Sequence, residues 1–411
     1  MTRPTPLPSE PLNSRAASAR GAPGRVVEVH TQTRSGLTIA AALAVTAVVA
    51  GIMHVGAGWW LPLHLFVVGG LLSAISAVTQ MLAVTWSAAP ASPPVLASAQ
   101  RWVLAAGAIA LVVGRETEQT WMFVAGGASV VVAMLGLASM LIRIRRQAVT
   151  PRFVPAIEAY VAATVAGAAG MSIGILLGAG RAVDSAVELR DVHLVLNVFG
   201  LIGLVIAGTL PFFAATQVRS KMSPRATPTA MRVTFAALAV AVVVAAIGHL
   251  IERPGVAAGG LITYVLGLLA IARLLPIYAH SRMRWAGPRL VQLVAGLVWW
   301  VAMTVALAVA TLRGTDDGAI LQALVIGAFA QILVASLAYL GPVLRGGGHR
   351  HLTAGFAITR SWVSPAAGNV AALAALVGHG PTLAVALAIW LTDIAIRAGR
   401  LLTATRSDDH V

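Results

Sequence analysis

Long apolar stretches recur along the whole chain and constrain its fold more than any other feature. A helix needs about 20 apolar residues to cross the hydrocarbon core of a bilayer. Twelve stretches of the 411-residue sequence approach or reach that length, at 36–58, 61–86, 99–114, 120–142, 156–179, 192–216, 231–251, 255–279, 289–312, 318–343, 354–378 and 381–403. Because 58% of the residues are hydrophobic and only 10% are charged, a soluble globule would not cover this apolar surface. The sequence therefore predicts an all-α integral membrane protein with twelve transmembrane helices.

The two ends of the chain differ in composition from the apolar stretches. Residues 1–35 are rich in proline, serine and arginine and lack apolar periodicity, so we expect a disordered cytoplasmic tail there. The first apolar stretch has full membrane length and no small-residue cleavage site after it, which argues against a signal peptide. The membrane domain is predicted at 36–403 and a second cytoplasmic tail at 404–411.

Arginine and lysine are distributed unevenly among the predicted loops. With the amino terminus in the cytoplasm, fifteen of these residues fall in inner loops and five in outer loops. This asymmetry predicts a multi-pass protein of the plasma membrane with both termini in the cytoplasm. The net charge of +15 is spread over many short loops, so the expected partner is the lipid bilayer and not nucleic acid.

Three apolar stretches open with similar sequences at equal spacing. HLFVVG begins at His64, HLVLNVFG at His193 and QALVIG at Gln322, and the interval between the first two openings equals the interval between the last two. An arginine follows each opening at nearly the same distance, close to the start of the next stretch, at Arg101, Arg232 and Arg360. An interval of this length holds four helices, so it predicts three pseudo-symmetric four-helix repeats. The predicted repeats are 36–142, 156–280 and 289–403.

Three repeats of four helices resemble the architecture of subunit I of haem-copper oxidases. The openings HLFVVG and QALVIG, each with a glycine five residues after the first position, are also similar to the NnrS family of membrane proteins. They look equally like the membrane domains associated with some copper oxidases and nitrite reductases. The resemblance covers about residues 36–403. It implies a protein that binds haem or copper near its outer surface in nitric oxide, nitrite or copper metabolism, with an extracytoplasmic redox protein as a partner.

The resemblance also assigns candidate ligands among the histidines at outer helix ends. It implies that His64 binds haem in one pocket and that His193 and His249 share a copper ion in another. Imidazole suits iron and copper alike, and a chain without cysteine offers no thiolate. The sequence departs from the oxidase pattern in having Gln322 instead of a histidine on helix 10, and Asn197 at the position of the redox tyrosine. Oxygen reduction with proton pumping is therefore not expected, and no catalytic residue is assigned.

Other interpretations of these residues stay open. A histidine at a membrane interface can keep one ring nitrogen in water and donate a hydrogen bond from the other to a carbonyl. We favour this interfacial role for His54 and His379. The alternative functions are a transporter or channel for a small solute, and a cofactor-free membrane partner of an extracytoplasmic oxidase.

Asp393 and Arg397 are four residues apart, which predicts an ion pair on one helix face.

Overall fold

The fold is that of a computed structural model of the chain. It describes residues 12–53, 55–56, 60–181, 186–277, 280–345 and 348–404. All regular secondary structure within these ranges is helical.

The helices are numbered in chain order, and the π-helical segments are numbered separately. The first part of the chain forms α1 (Leu12–Ile52), α2 (Trp60–His64), π1 (Leu65–Leu71), α3 (Leu72–Ser87), α4 (Pro94–Glu116) and α5 (Thr120–Arg146). The middle part forms a 3-10 turn (Pro151–Phe153), α6 (Val154–Gly178), α7 (Ala186–Val195), π2 (Leu196–Gly203), α8 (Leu204–Gln217), α9 (Pro228–Leu250) and α10 (Pro254–Leu274). The last part forms α11 (His280–Ala286), α12 (Pro288–Arg313), α13 (Gly318–Ala323), π3 (Leu324–Ala330), α14 (Gln331–Arg345), α15 (Gly348–Ile358), α16 (Val363–Leu376) and α17 (Gly380–Thr403).

Eleven continuous helical segments among the described residues are long and apolar enough to cross a membrane. They are Val27–Ile52, Trp60–Ser87, Pro94–Glu116, Thr120–Arg146, Pro151–Gly178, Ala186–Gln217, Pro228–Leu250, Pro254–Leu274, Pro288–Arg313, Gly318–Arg345 and Gly380–Thr403. These segments confirm the prediction of an all-α, multi-pass membrane protein.

The stretch predicted as a span at 354–378 is divided between two helices. Helix α15 ends at Ile358 and α16 begins at Val363, and α16 has 14 residues. At 1.5 Å per residue it is about 21 Å long, shorter than a hydrocarbon core of about 30 Å. Polar side chains at the break bond to neighbouring segments, since Arg360 donates to the carbonyl of Arg284 and Ser361 donates to Asp393. The twelfth span therefore stays a prediction.

Helix α1 reaches into the segment predicted to be a disordered tail. It begins at Leu12, and Val29 and Thr33 are buried in the bundle. Arg34 donates hydrogen bonds to the carbonyls of Leu344 and Arg345 at the end of α14. Alanine and arginine, which are frequent in this segment, favour helix, and the segment is fixed by packing from about Val29 onward. Residues 1–11 and 405–411 of the two predicted tails lie outside the described residues.

Three membrane-crossing segments are each interrupted by a π-helical segment. π1 begins at Leu65, π2 at Leu196 and π3 at Leu324, so the two intervals between them are nearly equal. Each follows a short α-helix, the helix that carries His64, His193 or Gln322 respectively. A π-helix is rare because its wider turn weakens backbone packing, and where it occurs it often marks a functional site.

The glycines allow neighbouring helices to pack backbone against backbone. A Cβ atom on Gly126 of α5 would lie 2.3 Å from the amide nitrogen of Leu111 in α4. A Cβ atom on Gly248 of α9 would lie 2.2 Å from the amide nitrogen of Ala257 in α10. Each pair of helices therefore depends on small residues for its close approach, as membrane helices commonly do.

Charged side chains distinguish the two ends of the bundle. Glu158, at the start of α6, accepts hydrogen bonds from Arg145 of α5 and Arg232 of α9, with N–O distances of 2.7 Å in both ion pairs. We call this side, where α5, α8 and α14 end and α6, α9 and α12 begin, the arginine-rich end. The opposite side, where α7 begins and α9 ends, carries His193 and His249, and we call it the histidine end.

The ion pair predicted on the last helix is confirmed. Arg397 Nη2 lies 2.7 Å from Asp393 Oδ2 within α17, and the two side chains are 10% and 16% exposed. Arg397 also donates to the carbonyl of Thr359, so the pair fixes α17 against the break between α15 and α16.

Candidate functional site

His64 is held at the junction between α2 and π1. Its ring stacks on Trp60, with 4.2 Å between ring centroids and 20° between ring planes. Its Nδ1 atom lies 2.8 Å from the carbonyl oxygen of Trp60. The guanidinium of Arg115, at the end of α4, lies 5.7 Å from the centre of the same indole. The short helix α2 thus fixes the ring before the backbone widens into the π-helix.

His193, near the end of α7, is held against α6. Its Nδ1 atom lies 2.7 Å from the carbonyl oxygen of Gly170. The amide of Asn197, one turn later, donates to the carbonyl of His193 at 2.8 Å. The ring fits because α6 has a glycine beside it: a Cβ atom on Gly174 would lie 2.7 Å from His193 Cε1. Gly170 likewise makes room for Asn197, whose Nδ2 atom would lie 2.4 Å from a Cβ there.

The contacts of the two rings determine which nitrogen carries the proton. A carbonyl oxygen can only accept, so the contacts with Trp60 and Gly170 place the proton of a neutral ring on Nδ1. Nδ1 of His193 also lies 3.3 Å from the amide nitrogen of Asn197, but that amide donates to the His193 carbonyl at 2.8 Å, and the shorter contact with the Gly170 carbonyl decides the tautomer. The lone pair then lies on Nε2, and we find no hydrogen bond from a described residue to either Nε2 atom. Histidines that bind metals usually show this arrangement, in which a backbone carbonyl fixes the ring through its other nitrogen.

His64 and His193 both lie near the histidine end of the bundle. The charges of His193 and Arg115 act electrostatically on His64. Both side chains are half-buried at their helix ends. The direct contacts of each ring are with its own surroundings, which are Trp60 for His64 and Gly170 with Asn197 for His193.

His249 has a different neighbour. Its Nδ1 atom lies 3.5 Å from Asp191 Oδ2. Arg190 donates to Asp191 at 2.8 Å and to Asp317 at 3.4 Å. His249 therefore belongs to a group of charged residues that links α7 and the start of α13 to the end of α9.

The remaining polar residues considered in the sequence have simpler surroundings. His379 caps α17, since its Nδ1 accepts a hydrogen bond from the amide of Thr382 at 3.3 Å. Gln322 is exposed on α13. His54 lies outside the described residues. The contact of His379 agrees with a structural role for that residue.

The donor set limits what the site can hold. In the part of the chain that the structure describes, no three histidine, aspartate or glutamate side chains form a group able to hold a metal ion. Two cavities elsewhere are lined by other residues, one of them between α16 and α17. Copper held by the imidazoles of His64 and His193 alone would therefore need a further ligand.

Gly170 and Gly174 were not identified as site residues from the sequence. Their spacing in GMSIG is a small-residue motif that commonly marks close helix packing. The motif signals close approach without naming the partner, and only the structure places His193 and Asn197 there.

Comparison with known proteins gives no further assignment. No model of a known protein family matches the sequence, and no curated protein is significantly similar to it.

Proposed function

We propose that this membrane protein is a redox-type protein that binds haem or copper through Nε2 of His64 and Nε2 of His193. One observation carries the proposal: both imidazoles lie within hydrogen-bond distance of a backbone carbonyl through Nδ1 and keep Nε2 free of contacts with described residues. The same arrangement occurs at two half-buried helix ends, each next to a π-helical segment. Its repetition favours a ligand at Nε2, because intramembrane ionisable groups are expensive and usually functional.

The chemistry of the donor set favours haem over a copper ion. Haem iron takes four ligands from the porphyrin and needs one or two from the protein, for which imidazole is common. A copper ion bound to two imidazoles needs a third donor, such as water or a bound solute. Either group would supply one-electron chemistry when bound. The protein's own part is to orient the two rings and to keep the proton on Nδ1.

The proposal extends to the architecture and its setting. Three repeats of four helices, similar to subunit I of haem-copper oxidases and to NnrS proteins, are supported by the regular spacing of π1, π2 and π3. With the arginine-rich end in the cytoplasm, His64 and His193 face the outside of the cell. That position suits exchange of electrons with an extracytoplasmic redox protein in nitric oxide, nitrite or copper metabolism.

The test is the absorption spectrum and metal content of the purified protein and three variants. We expect a Soret band with iron, or bound copper, in the parent protein. His64→Gln and His193→Gln should each lower that content severalfold, because glutamine keeps polarity but is a poor ligand for either metal. His379→Gln is the matched control and should keep the full content, because His379 caps a helix.

Two outcomes would contradict the proposal. A colourless, metal-free parent protein would favour a solute transporter or a cofactor-free partner of an oxidase. Equal metal content in all four proteins would show that the two histidines are interfacial supports.

A further inference from the structure

A polar cavity lies at the arginine-rich end, far along the bundle from the histidines. Its volume is about 240 Å³. It lies between the short helices α11 and α15, beside the first turn of α12. The lining includes the aromatic side chains of Trp285 and Phe356 and three arginines, Arg219, Arg289 and Arg360.

Arg289 is the buried member of the arginine group. Arg289 is only 7% exposed. The guanidinium carbon lies 4.4 Å from the ring centre of Trp285 and 4.7 Å from that of Phe356. One Nη2–H donates to the carbonyl of Gln217 at 3.3 Å. The buried Nε–H has no acceptor among the described residues, so a charged donor lines the cavity with part of its hydrogen-bonding capacity unused.

The other two arginines add to the positive charge around Arg289. Arg219 lies over the indole of Trp285, 4.0 Å from the ring centre. Arg360 packs on Gly287, and its Nη2 atom would lie 2.9 Å from a Cβ there. Both interact electrostatically with Arg289. Like charges held this close repel one another unless an anion lies between them.

The described lining of the cavity includes no carboxylate. Elsewhere at this end, Glu158 pairs with Arg145 and Arg232, and Asp393 pairs with Arg397. The buried Arg101 has no carboxylate partner among the described residues, but it donates to the carbonyls of Ala97 and Gln32. Arg289 differs from both cases, because its buried Nε–H has no acceptor of either kind among the described residues.

We propose that the cavity binds a phosphate group, presented either by an anionic lipid headgroup or as free phosphate. Guanidinium groups bind phosphate oxygens through pairs of hydrogen bonds, and such charge-assisted bonds are the strong ones. Helix α12 begins at Pro288 in the cavity wall, so its positive N-terminal end adds to the attraction for an anion. Trp285 and Phe356 provide an apolar wall for the glycerol and upper acyl chain of a lipid.

The experiment compares protein variants in nanodiscs of three kinds. The first contains phosphatidylcholine alone, the second phosphatidylcholine with added phosphatidylglycerol, and the third phosphatidylcholine with inorganic phosphate in the buffer. The test variant is the double substitution Arg219→Gln/Arg360→Gln, which leaves the buried Arg289 in place. Its control, Arg146→Gln/Arg225→Gln, removes two exposed arginines of the same end that do not line the cavity. The measurement is the midpoint temperature of unfolding, with native mass spectrometry of retained lipid.

The parent and control proteins should be stabilised by phosphatidylglycerol or by phosphate, and the test variant should not. Its apparent affinity for the anion should fall about tenfold or more, since each charge-assisted bond contributes at least that factor. In phosphatidylcholine alone, the test variant should be somewhat less stable than the parent, because Arg360→Gln removes the hydrogen bond to the carbonyl of Arg284. The response of each protein to an anion is therefore measured against its own midpoint temperature in phosphatidylcholine. A response to phosphatidylglycerol only identifies the lipid headgroup, and a response to phosphate identifies the free ion. The proposal is overturned if all three proteins respond alike, or if none responds to either anion.

Discussion

His193 illustrates how single residues build this site. Its ring is fixed by the Gly170 carbonyl, its backbone carbonyl accepts from Asn197, and Gly174 leaves the space that the ring fills. Such support matters because metal binding needs a fixed ligand geometry. A histidine that its neighbours do not hold in place does not keep that geometry.

A methyl group at Gly174 should therefore disturb the site. In Gly174→Ala the new Cβ would lie 2.7 Å from His193 Cε1 and 2.8 Å from Nδ1, so the ring must move. We expect a loss of about 1–3 kcal/mol in stability, typical of overpacking, and loss of bound haem or copper. Thermal unfolding and metal analysis measure both.

The control for this substitution is Gly136→Ala in α5. Its new Cβ would meet only Gln100 Cγ at 3.8 Å, an ordinary contact. Alanine is favoured over glycine within a helix by about 0.5–1 kcal/mol, so the variant should be as stable as the parent or slightly more stable. If both alanine variants keep the full metal content, Gly174 does not support a ligand.

The sequence shows where polar residues lie along the chain but not what surrounds them. His64 and His193 are polar residues inside apolar boundaries, and the structure places both at helix ends. The contacts of each ring depend on how α2, α6 and α7 pack and on a shift of register at π1 and π2, and local sequence patterns do not encode either. The same limit hid the cavity of Arg219, Arg289 and Arg360, whose members are far apart in the chain.

At the scale of helices, the π-helical segments set the direction of the histidines. Each π turn adds a residue relative to an α-helix, so it changes which face of the helix a preceding side chain occupies. π1 follows His64 directly and π2 begins three residues after His193. The helix that carries Gln322 is also followed by a π-helical segment, π3, but it has no histidine next to that segment.

Insertion of one residue ahead of π2 should separate the site from the fold. An alanine inserted after Leu194 rotates His193 by about 100° relative to π2 and α8. We expect normal membrane insertion with loss of bound metal, measured by absorption and metal analysis. The same insertion after Gln322, ahead of π3, is the matched control and should keep the metal. Unchanged metal content after the first insertion would show that the direction of His193 is not needed for metal binding.

Hydrophobicity predicted the existence of the helices more reliably than their interruptions. Apolar length identified eleven spans, because the bilayer requires it. The break at residues 359–362 depends instead on tertiary bonds of Arg360 and Ser361 to Arg284 and Asp393. The packing of α1 on the end of α14 depends likewise on the bonds of Arg34 to the carbonyls of Leu344 and Arg345. A window of apolar residues carries no information on such partners.

At the scale of the whole molecule, charge is segregated along the axis of the bundle. Glu158 with its two arginines and the cavity of Arg289 lie at one end, and the histidines with Asp191 and Asp317 lie at the other. The loop asymmetry of the sequence predicts that the arginine-rich end faces the cytoplasm. The proposed metal site and the proposed phosphate site would then lie on opposite sides of the membrane.

Reporter fusions test this orientation. Fusions after Arg152 and after Arg289 should report a cytoplasmic location, and a fusion near Asp316 should report the exterior. These positions lie at the arginine-rich end and the histidine end respectively. A reversed pattern at two of the three positions would place the histidines in the cytoplasm and remove the case for an extracytoplasmic redox partner.

The central claim is that His64 and His193 bind the same metal centre, and pulsed electron paramagnetic resonance of the oxidised protein tests it most directly. With ¹⁵N-labelled histidine, ferric haem or copper(II) should show couplings from two coordinated imidazoles. His64→Gln and His193→Gln should each remove one of them, and His379→Gln should remove neither. A paramagnetic centre whose imidazole couplings are unchanged in His64→Gln and His193→Gln, or the absence of any centre with coordinated imidazole, would contradict the claim.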